Sequence, residues 1–376
     1  MNNMPKRQHF GVKMKIAFWH FYTLRLPRGI ETLVISLANA LADRGHDVSI
    51  ITAKGDIKPL VTPNARVRVY AYPTAPFYSH LSIVPAYTSH FLRHTYDSIV
   101  VFFADFGEDL TWKLLHHYKD LPLSLYLCYP YSTVPHRYHS FLRLGWHHSA
   151  RHVLADAVWV AREAEELFQR PVPVVPVGTD PIRFRPDLDL RTQMRLQYGF
   201  MNDDVVLLNV SALELAKGTW RVIAAMGRLK QQLPQLHFYI LGKGEDEPRL
   251  RQIVDDLGLN NRVFFGGVTP HLEAYYNMAD IFVMLPDAEA NSIASHEAMS
   301  CGLPLLVSSN GGFAESVTVD AGQLVNPHDL DAIDTALCTL AGNIGLRKQM
   351  GSAARAHVLA SHSWDHVAER FLACLG

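Results

Sequence analysis

"PVPVVPVGTDPIRFRP", residues 171–186, is the stretch on which the fold turns. Its five prolines lack the amide donor that a helix interior or a central strand needs, so this is a connecting segment. Upstream, short apolar runs alternate with amphipathic ones. "KIAFWHF" (15–21) reads as a first strand. The turn "YTLRLPRG" leads from it into "IETLVISLANALADRGHDV", where Leu33, Leu37, Ala40 and Leu41 recur at helical spacing. Gly45 ends that helix and "DVSIIT" starts a second strand. Further β-rich runs follow at "RVRVYA", "SIVVFF", "LSLYLC" and "AVWV".

Downstream the alternation restarts. "VVLLNV", a helix over 217–231, "LHFYILG", a helix over 247–257, "RVFFGG", a helix near 271–278, "DIFVML", a helix opening near Asn291 or Ser292, and "PLLVSS" follow in order. Apolar strands alternating with helices make a parallel sheet covered on both faces. The chain is therefore read as α/β, two Rossmann-like parallel-sheet domains facing a central cleft. The expected division is an extension over 1–13, a first domain over 14–180, a second over 181–360, and a C-terminal helix over 361–376 packing back toward the first.

Composition narrows the function classes. A chain of 376 residues is long enough for two cores. A formal charge of −1 argues against a general nucleic-acid binder. Cys128, Cys301, Cys338 and Cys374 are scattered without a CxxC pair, which suits a reducing cytoplasm. No apolar run is long enough to span a membrane, and "MNNMPKRQHFGVK" has no apolar core of a secretory signal.

Candidate chemistry gathers at strand-to-helix turns. In "PRGIE" (27–31) Gly29 lets backbone approach a ligand at a helix N-terminus; an ordinary turn needing glycine is the plainer reading. "NVSALELAKGTW" (209–220) puts Lys217 at the start of a helix, where it can hold a phosphate or simply be a solvated lysine. "LGKGEDEP" (241–248) reads as structural, since its acids repel phosphate and suit a helix N-terminus. "SSNGGFAESV" (308–317) offers a flexible Gly–Gly turn, and "DLD" (187–189) formally matches a metal-binding pattern.

In "EANSIASHEAMSCGLP" (289–304) Glu289 and Glu297 stand eight positions apart. In a continuous helix they would lie about 12 Å apart along the axis, beyond the roughly 5 Å of a retaining glycosidase pair. With Glu289 in the loop, the pair instead brackets a helix N-terminus. The amides of Ala290, Asn291, Ser292 and Ile293 are then open to an anion, and the carboxylates to sugar hydroxyls.

Taken together these motifs resemble the family 4 glycosyltransferases, retaining enzymes of GT-B fold that use nucleotide-sugars. The likeness runs from Met14 to the C-terminus. It rests on the E-x7-E pair with "EAMSCGLP", on "VVPVGTDPIRFRP", "AKG", "LGKGEDEPRLRQIVDDLGLNNRVFFGGV", "MADIFVMLP", "GGFAESV" with "AGQLVNPHD", and on "HSWDHVAERF". The resemblance implies Glu297 on the donor ribose, Glu289 on a donor-sugar hydroxyl, and Lys217 on the diphosphate. It implies backbone of Asn291 to Ile293 at sugar and phosphate, Gly29 as the phosphate turn of the first domain, and Gly266, Gly267 and Val268 as the base-binding edge. No metal or other cofactor is expected. UDP-glucose or a close relative is the expected donor by family frequency, and a saccharide or lipid-linked acceptor in glycan biosynthesis the expected partner.

The departures from the pattern are specific. Ala212 stands where the family often has arginine, leaving Arg25 or Arg28 to supply that cation; Arg28 also replaces the first glycine of the turn. Ala290-Asn291-Ser292 replaces Pro-Phe-Gly, which is expected to retune donor specificity. Cys128, Tyr129 or His136 stands in for a cleft histidine. "YSTVPHRYHSFLRLGWHHSARH" (131–152) carries three arginines, five histidines and no acid, with Phe141, Leu142, Leu144 and Trp146 interleaved. It reads either as peripheral membrane contact at the cytoplasmic face or as a buried cleft-side helix. Two other functions stay open: a GT-B pseudo-glycosyltransferase or sugar-nucleotide epimerase, and a glycoside hydrolase using the two glutamates. Nucleotide binding separates the hydrolase from the rest.

Overall fold

The structure, a computed structural model, describes residues 12–375 except 27, 56–58, 76–78, 103–105 and 117–119; the side chains at 79, 106, 107, 137, 140, 141 and 144 are also not described. The expected extension therefore lies, up to residue 11, outside the described residues.

Two six-stranded parallel sheets carry the fold. The first comprises β1 (Lys15–Trp19), β2 (Asp47–Ala53), β3 (Arg68–Tyr72), β4 (Ser98–Phe102), β5 (Leu123–Leu127) and β6 (His152–Ala155), in the order β3-β2-β1-β4-β5-β6. The second comprises β7 (Val205–Val210), β8 (Leu236–Leu241), β9 (Val263–Gly267), β10 (Ile281–Met284), β11 (Leu305–Ser308) and β12 (Gly322–Val325), in the order β12-β11-β10-β7-β8-β9. Each sheet reverses its strand order once, between β1 and β4 and between β7 and β10. Beyond the carboxyl ends of the strands, that reversal opens a crevice for ligands.

The sixth strand of the first sheet corrects the reading of "AVWV". β6 is His152–Ala155, and Val158–Phe168 is a helix that buries Val160, Ala161, Ala164 and Phe168. The β-branched run is overridden by tertiary context: the Glu315 carboxylate accepts hydrogen bonds from the first-turn amides of Val158 (2.6 Å) and Trp159 (2.8 Å). The expected helix over 217–231 is also shorter. A 3-10 turn, Leu215–Lys217, comes first, Gly218 follows at φ +74°, and the α-helix is Thr219–Arg228. β12, carried by "GQLV", escaped the sequence reading because four residues between loops show no periodicity.

The chain crosses between the two halves twice, side by side. Thr179 donates its amide to His362 O (2.9 Å), and Trp364 donates to Thr179 O (3.1 Å). Beyond this second crossing the helix Trp364–Leu375 lies on the first half. Val367, Ala368 and Phe371 are fully buried in its core, and Phe371 meets Phe18 edge-on at 6.0 Å between ring centroids. Arg44 clasps the same helix through Asp365 and Glu369. Among the described residues, no helix is long and apolar enough to cross a membrane. Phe371→Ala should cost about 3–5 kcal/mol. Urea unfolding followed by tryptophan fluorescence is expected to show an earlier first transition, belonging to the first half and its docked helix.

Candidate active site

The site is built where β7 and β10 diverge. Gly218 ends the 3-10 turn in a left-handed conformation, and a Cβ there would stand 1.7 Å from Leu285 O. Only glycine lets the loop after β7 lie against the loop after β10. The contact is reinforced by Asp287, whose amide donates to Ala216 O (2.9 Å), and by Arg221, which donates to Leu285 O (3.0 Å). It brings Lys217 Nζ to 2.8 Å from Glu289 Oε2, with both side chains part-buried. Burial works against the Lys217 charge, but Glu289 more than offsets it and the ammonium is held above its ordinary range. Arg28, the N-cap of the helix Gly29–Asp43, is the cation whose field opposes Lys217.

The Glu289 loop runs into the helix Ile293–Ser300. Ser292 is its N-cap, with Oγ accepting from Ser295 N at 3.3 Å, and Gly302 at φ +78° closes it. Among the described residues the amides of Ala290, Asn291 and Ile293 take no hydrogen bond, so the loop presents donors. Glu297 lies one turn inside, 6% exposed. Tyr276 donates its hydroxyl to Glu297 Oε2 (2.8 Å) and to Ala294 O (3.1 Å). Burial pushes the Glu297 carboxyl up to about 7, against the pull of Tyr276 and Arg183.

The other expected residues take these positions. Gly29 is exposed, and a Cβ there would meet nothing within 4 Å, so local geometry does not demand glycine; the position simply leaves space in front of the helix. Gly266 and Gly267 end β9, Gly267 O accepts from Gly242 N (2.8 Å), and Val268 is exposed beyond them. The Gly311–Gly312 turn approaches protein backbone: Gly312 N donates to Glu289 O (2.8 Å), and a Cβ on Gly312 would stand 1.5 Å from Ala290 O. Asp246 of "LGKGEDEP" accepts from Leu215 N (2.8 Å), and Asp187 of "DLD" caps the helix Leu188–Tyr198 through Leu190 N (2.9 Å). Among the described residues no group of three or more His, Cys, Asp or Glu is placed to hold a metal ion.

Three alternatives for the cleft histidine also separate. Cys128 is buried, Tyr129 is partly exposed, and His136 is exposed on the helix Pro135–Leu144. Of the 131–152 segment, Tyr138 and Trp146 are core residues, and His139, Arg143 and His148 face solvent; Arg137, Phe141 and Leu144 have side chains outside the described residues.

Sequence reasoning missed two buried acids beside the cleft. Glu31, in the first turn of the helix Gly29–Asp43, is buried with Oε2 unpartnered, and burial raises its carboxyl to about 7. Asp156 directly follows β6, is 3% exposed and has Oδ1 unpartnered. Placing a strand at "AVWV" had set Asp156 ahead of the strand. The correct strand puts it at the carboxyl end, where such sheets bind ligands.

A paired lysine and carboxylate, free loop amides and a buried glutamate are thus gathered on the second of two Rossmann-like halves. The model of "Glycosyltransferase Family 4" matches residues 27–183 and that of "Glycosyl transferases group 1" matches 191–357, and the chain belongs to the family 4 glycosyltransferases. It is 34% identical over 200 residues to the GDP-mannose-dependent alpha-(1-6)-phosphatidylinositol monomannoside mannosyltransferase of Mycolicibacterium smegmatis. That match covers 50% of this chain and 52% of the relative, so the chain spans about half the length of such curated relatives. The fold is shared with sucrose-phosphate synthase from Thermosynechococcus elongatus (TM-score 0.82, 20% identity, 96% of this chain and 98% of that one). It is shared likewise with Anabaena HepE in complex with UDP and glucose (TM-score 0.81, 19% identity, 96% and 99%).

The Glu297 environment makes stability depend on pH. Its folded value of about 7 exceeds the ordinary 4.5, so the folded chain binds the proton more tightly and loses stability as pH rises between those values. Glu297→Gln keeps an acceptor for Tyr276 and removes the buried charge. It should leave stability nearly unchanged below pH 4.5 and raise it above pH 7, by on the order of 1–3 kcal/mol. Thermal unfolding of both proteins across that range checks the sign.

Proposed function

We propose that the chain transfers a hexose from a nucleotide-sugar to a saccharide or lipid-linked acceptor, with retention of anomeric configuration. The observation that carries this reading is the Lys217–Glu289 pair at the strand-order reversal, beside the unbonded amides of Ala290, Asn291 and Ile293. Lys217 and these amides would hold the diphosphate, Glu289 a sugar hydroxyl and Glu297 the ribose. Arg28 would supply the cation that Ala212 does not, since Arg25 is engaged with Thr74 (3.1 Å) and the Phe21 ring. Gly29 would leave room for phosphate at the facing helix, and Gly266, Gly267 and Val268 would border the base.

In the proposed reaction the acceptor hydroxyl attacks on the face the leaving group departs from, and the departing diphosphate takes the proton. The chain's contribution is charge placed in advance where the leaving group becomes more negative, in a site shielded from water. In this proposal Lys217, Arg28 and the loop amides would stabilise the leaving diphosphate without a metal, and the anomeric carbon would be the electrophile. The GDP-mannose dependence of the mycobacterial relative favours GDP-mannose over the UDP-glucose expected from family frequency, and the lipid-linked acceptor in that relative's name favours an acceptor of that kind. The exposed basic face of 131–152 would then meet the membrane on its cytoplasmic side.

Calorimetric titration and thermal shift with GDP-mannose, UDP-glucose and ADP-glucose test the donor. One of them should stabilise the wild type, while Lys217→Ala and Glu297→Ala abolish the shift and Lys217→Ala lowers kcat by about 100-fold or more. Unchanged shifts in both variants would remove this site assignment, and indifference to every nucleotide would revive the hydrolase. Product analysis by NMR decides retention, and an isomerised donor without transfer would support the epimerase instead.

A further inference from the structure

Asp156 is fastened to the donor loop by its backbone while its carboxyl is left unmet. Its amide donates to Leu127 O (3.0 Å), and its carbonyl accepts from Asn291 Nδ2 (2.8 Å), so the end of β6 is tied to the loop that carries Glu289. Neither Asp156 Oδ1 nor Asn291 Oδ1 has a hydrogen-bond partner, and both atoms are buried. A buried polar atom without a partner forfeits its bonds to water, and two at one contact between the halves call for a ligand that satisfies them.

The bonding capacity of these two atoms identifies that ligand. Asp156 Oδ1 and Asn291 Oδ1 are both acceptors, so the group that satisfies them must be a donor. Burial first, then the Glu289 charge, holds the Asp156 carboxyl well above its usual range. A sugar hydroxyl supplies the donor that two unpartnered oxygens call for, whereas an ionised phosphate has no hydrogen to give.

We propose that Asp156, with Asn291 Oδ1 beside it, is a hydroxyl-binding subsite for the transferred sugar, and that Asp156 is the specificity-determining residue contributed by the first half. Asn291, two residues after Glu289, is bonded to the Asp156 carbonyl, so the subsite borders the loop that carries Glu289. The assignment rests on the donor reading above. It also replaces the three candidates for the cleft histidine: a buried thiol is a weak hydrogen-bonding group, and His136 is out in solvent.

The test compares Asp156→Ala with Asp156→Asn, since asparagine keeps the shape and the acceptor oxygen of the aspartate. Affinities for the nucleoside diphosphate and for the nucleotide-sugar that the wild type binds are measured by calorimetry. Asp156→Ala should bind the diphosphate as the wild type does and the nucleotide-sugar about 10-fold or more weakly, and Asp156→Asn should restore binding to within about threefold. Across monodeoxy donors, one analogue should bind the wild type about 10-fold more weakly than the parent sugar yet bind Asp156→Ala equally well. Three results would overturn the assignment and leave the donor reading standing: nucleotide-sugar binding unaffected in Asp156→Ala, equal losses for sugar-nucleotide and diphosphate, or a rise confined to the acceptor KM. A wild type that binds no nucleotide-sugar would overturn both.

Discussion

Lys217 can reach Glu289 only because two glycines allow backbone to touch backbone. Gly218 lies against the Leu285 carbonyl and Gly312 against the Ala290 carbonyl, each so close that a Cβ would overlap the oxygen. Three loops, following β7, β10 and β11, are thereby drawn together at one edge of the second sheet. Larger residues would push the loops apart by more than a hydrogen bond can stretch, and a charge pair loses its worth quickly with separation in a part-buried setting. The chemistry at this edge follows from that packing constraint: once the loops are joined, the Glu289 carboxylate has a cation, and the donor loop presents its amides.

The halves are joined in two physically different ways. On one side lie the paired crossings at Thr179 and Ser363 and the buried apolar face of the C-terminal helix. Apolar burial of this kind is non-directional and survives small rotations, so it suits a hinge. On the other side polar contacts lie beside the apolar packing of Ala290 and Ile293 on the first-half core: the Glu315 carboxylate at the N-terminus of the Val158–Phe168 helix, and Asn291 on the Asp156 carbonyl. Such bonds exchange readily with water, and each is worth only about 0.5–3 kcal/mol.

How far the sequence discloses this arrangement follows from the kind of signal each part leaves. Both sheets are legible because buried parallel strands are continuous apolar runs separated by helices of ordinary length. Ser292 as a cap and Gly302 as a stop are legible because helix ends have side-chain signatures. "AVWV" is misleading because its helix is secured by a carboxylate 156 residues away in sequence, which no local pattern records. Glu31 and Asp156 are hidden for a related reason. An acid in a helix's first turn or beside a strand end looks like a solvated charge until the fold covers it. The Gly–Gly turn at 311–312 was legible as a close approach, yet what it approaches is the Glu289 loop itself.

The charges of the site divide into two sets by their surroundings. Lys217 is a part-buried cation in the loop after β7, and Arg28 an exposed one at the N-terminus of the first-half helix Gly29–Asp43, whose field reaches Lys217. Glu31, Asp156 and Glu297 are acids whose burial raises their carboxyls, with no salt bridge among the described residues to hold any of them ionised. Buried acids of this kind are costly beside a phosphate if ionised and useful beside hydroxyls if neutral. Glu289 stands between the sets, paired with Lys217 on one side and carried by the loop that is tied to Asp156 on the other. A ligand that satisfies both sets at once must carry anionic groups at one end and hydroxyls at the other, joined across the span of a single cleft. Under the proposed assignment a nucleotide-sugar offers hydroxyls on both sides of its diphosphate, whereas a free nucleotide offers them on one side only and a free sugar carries no anion.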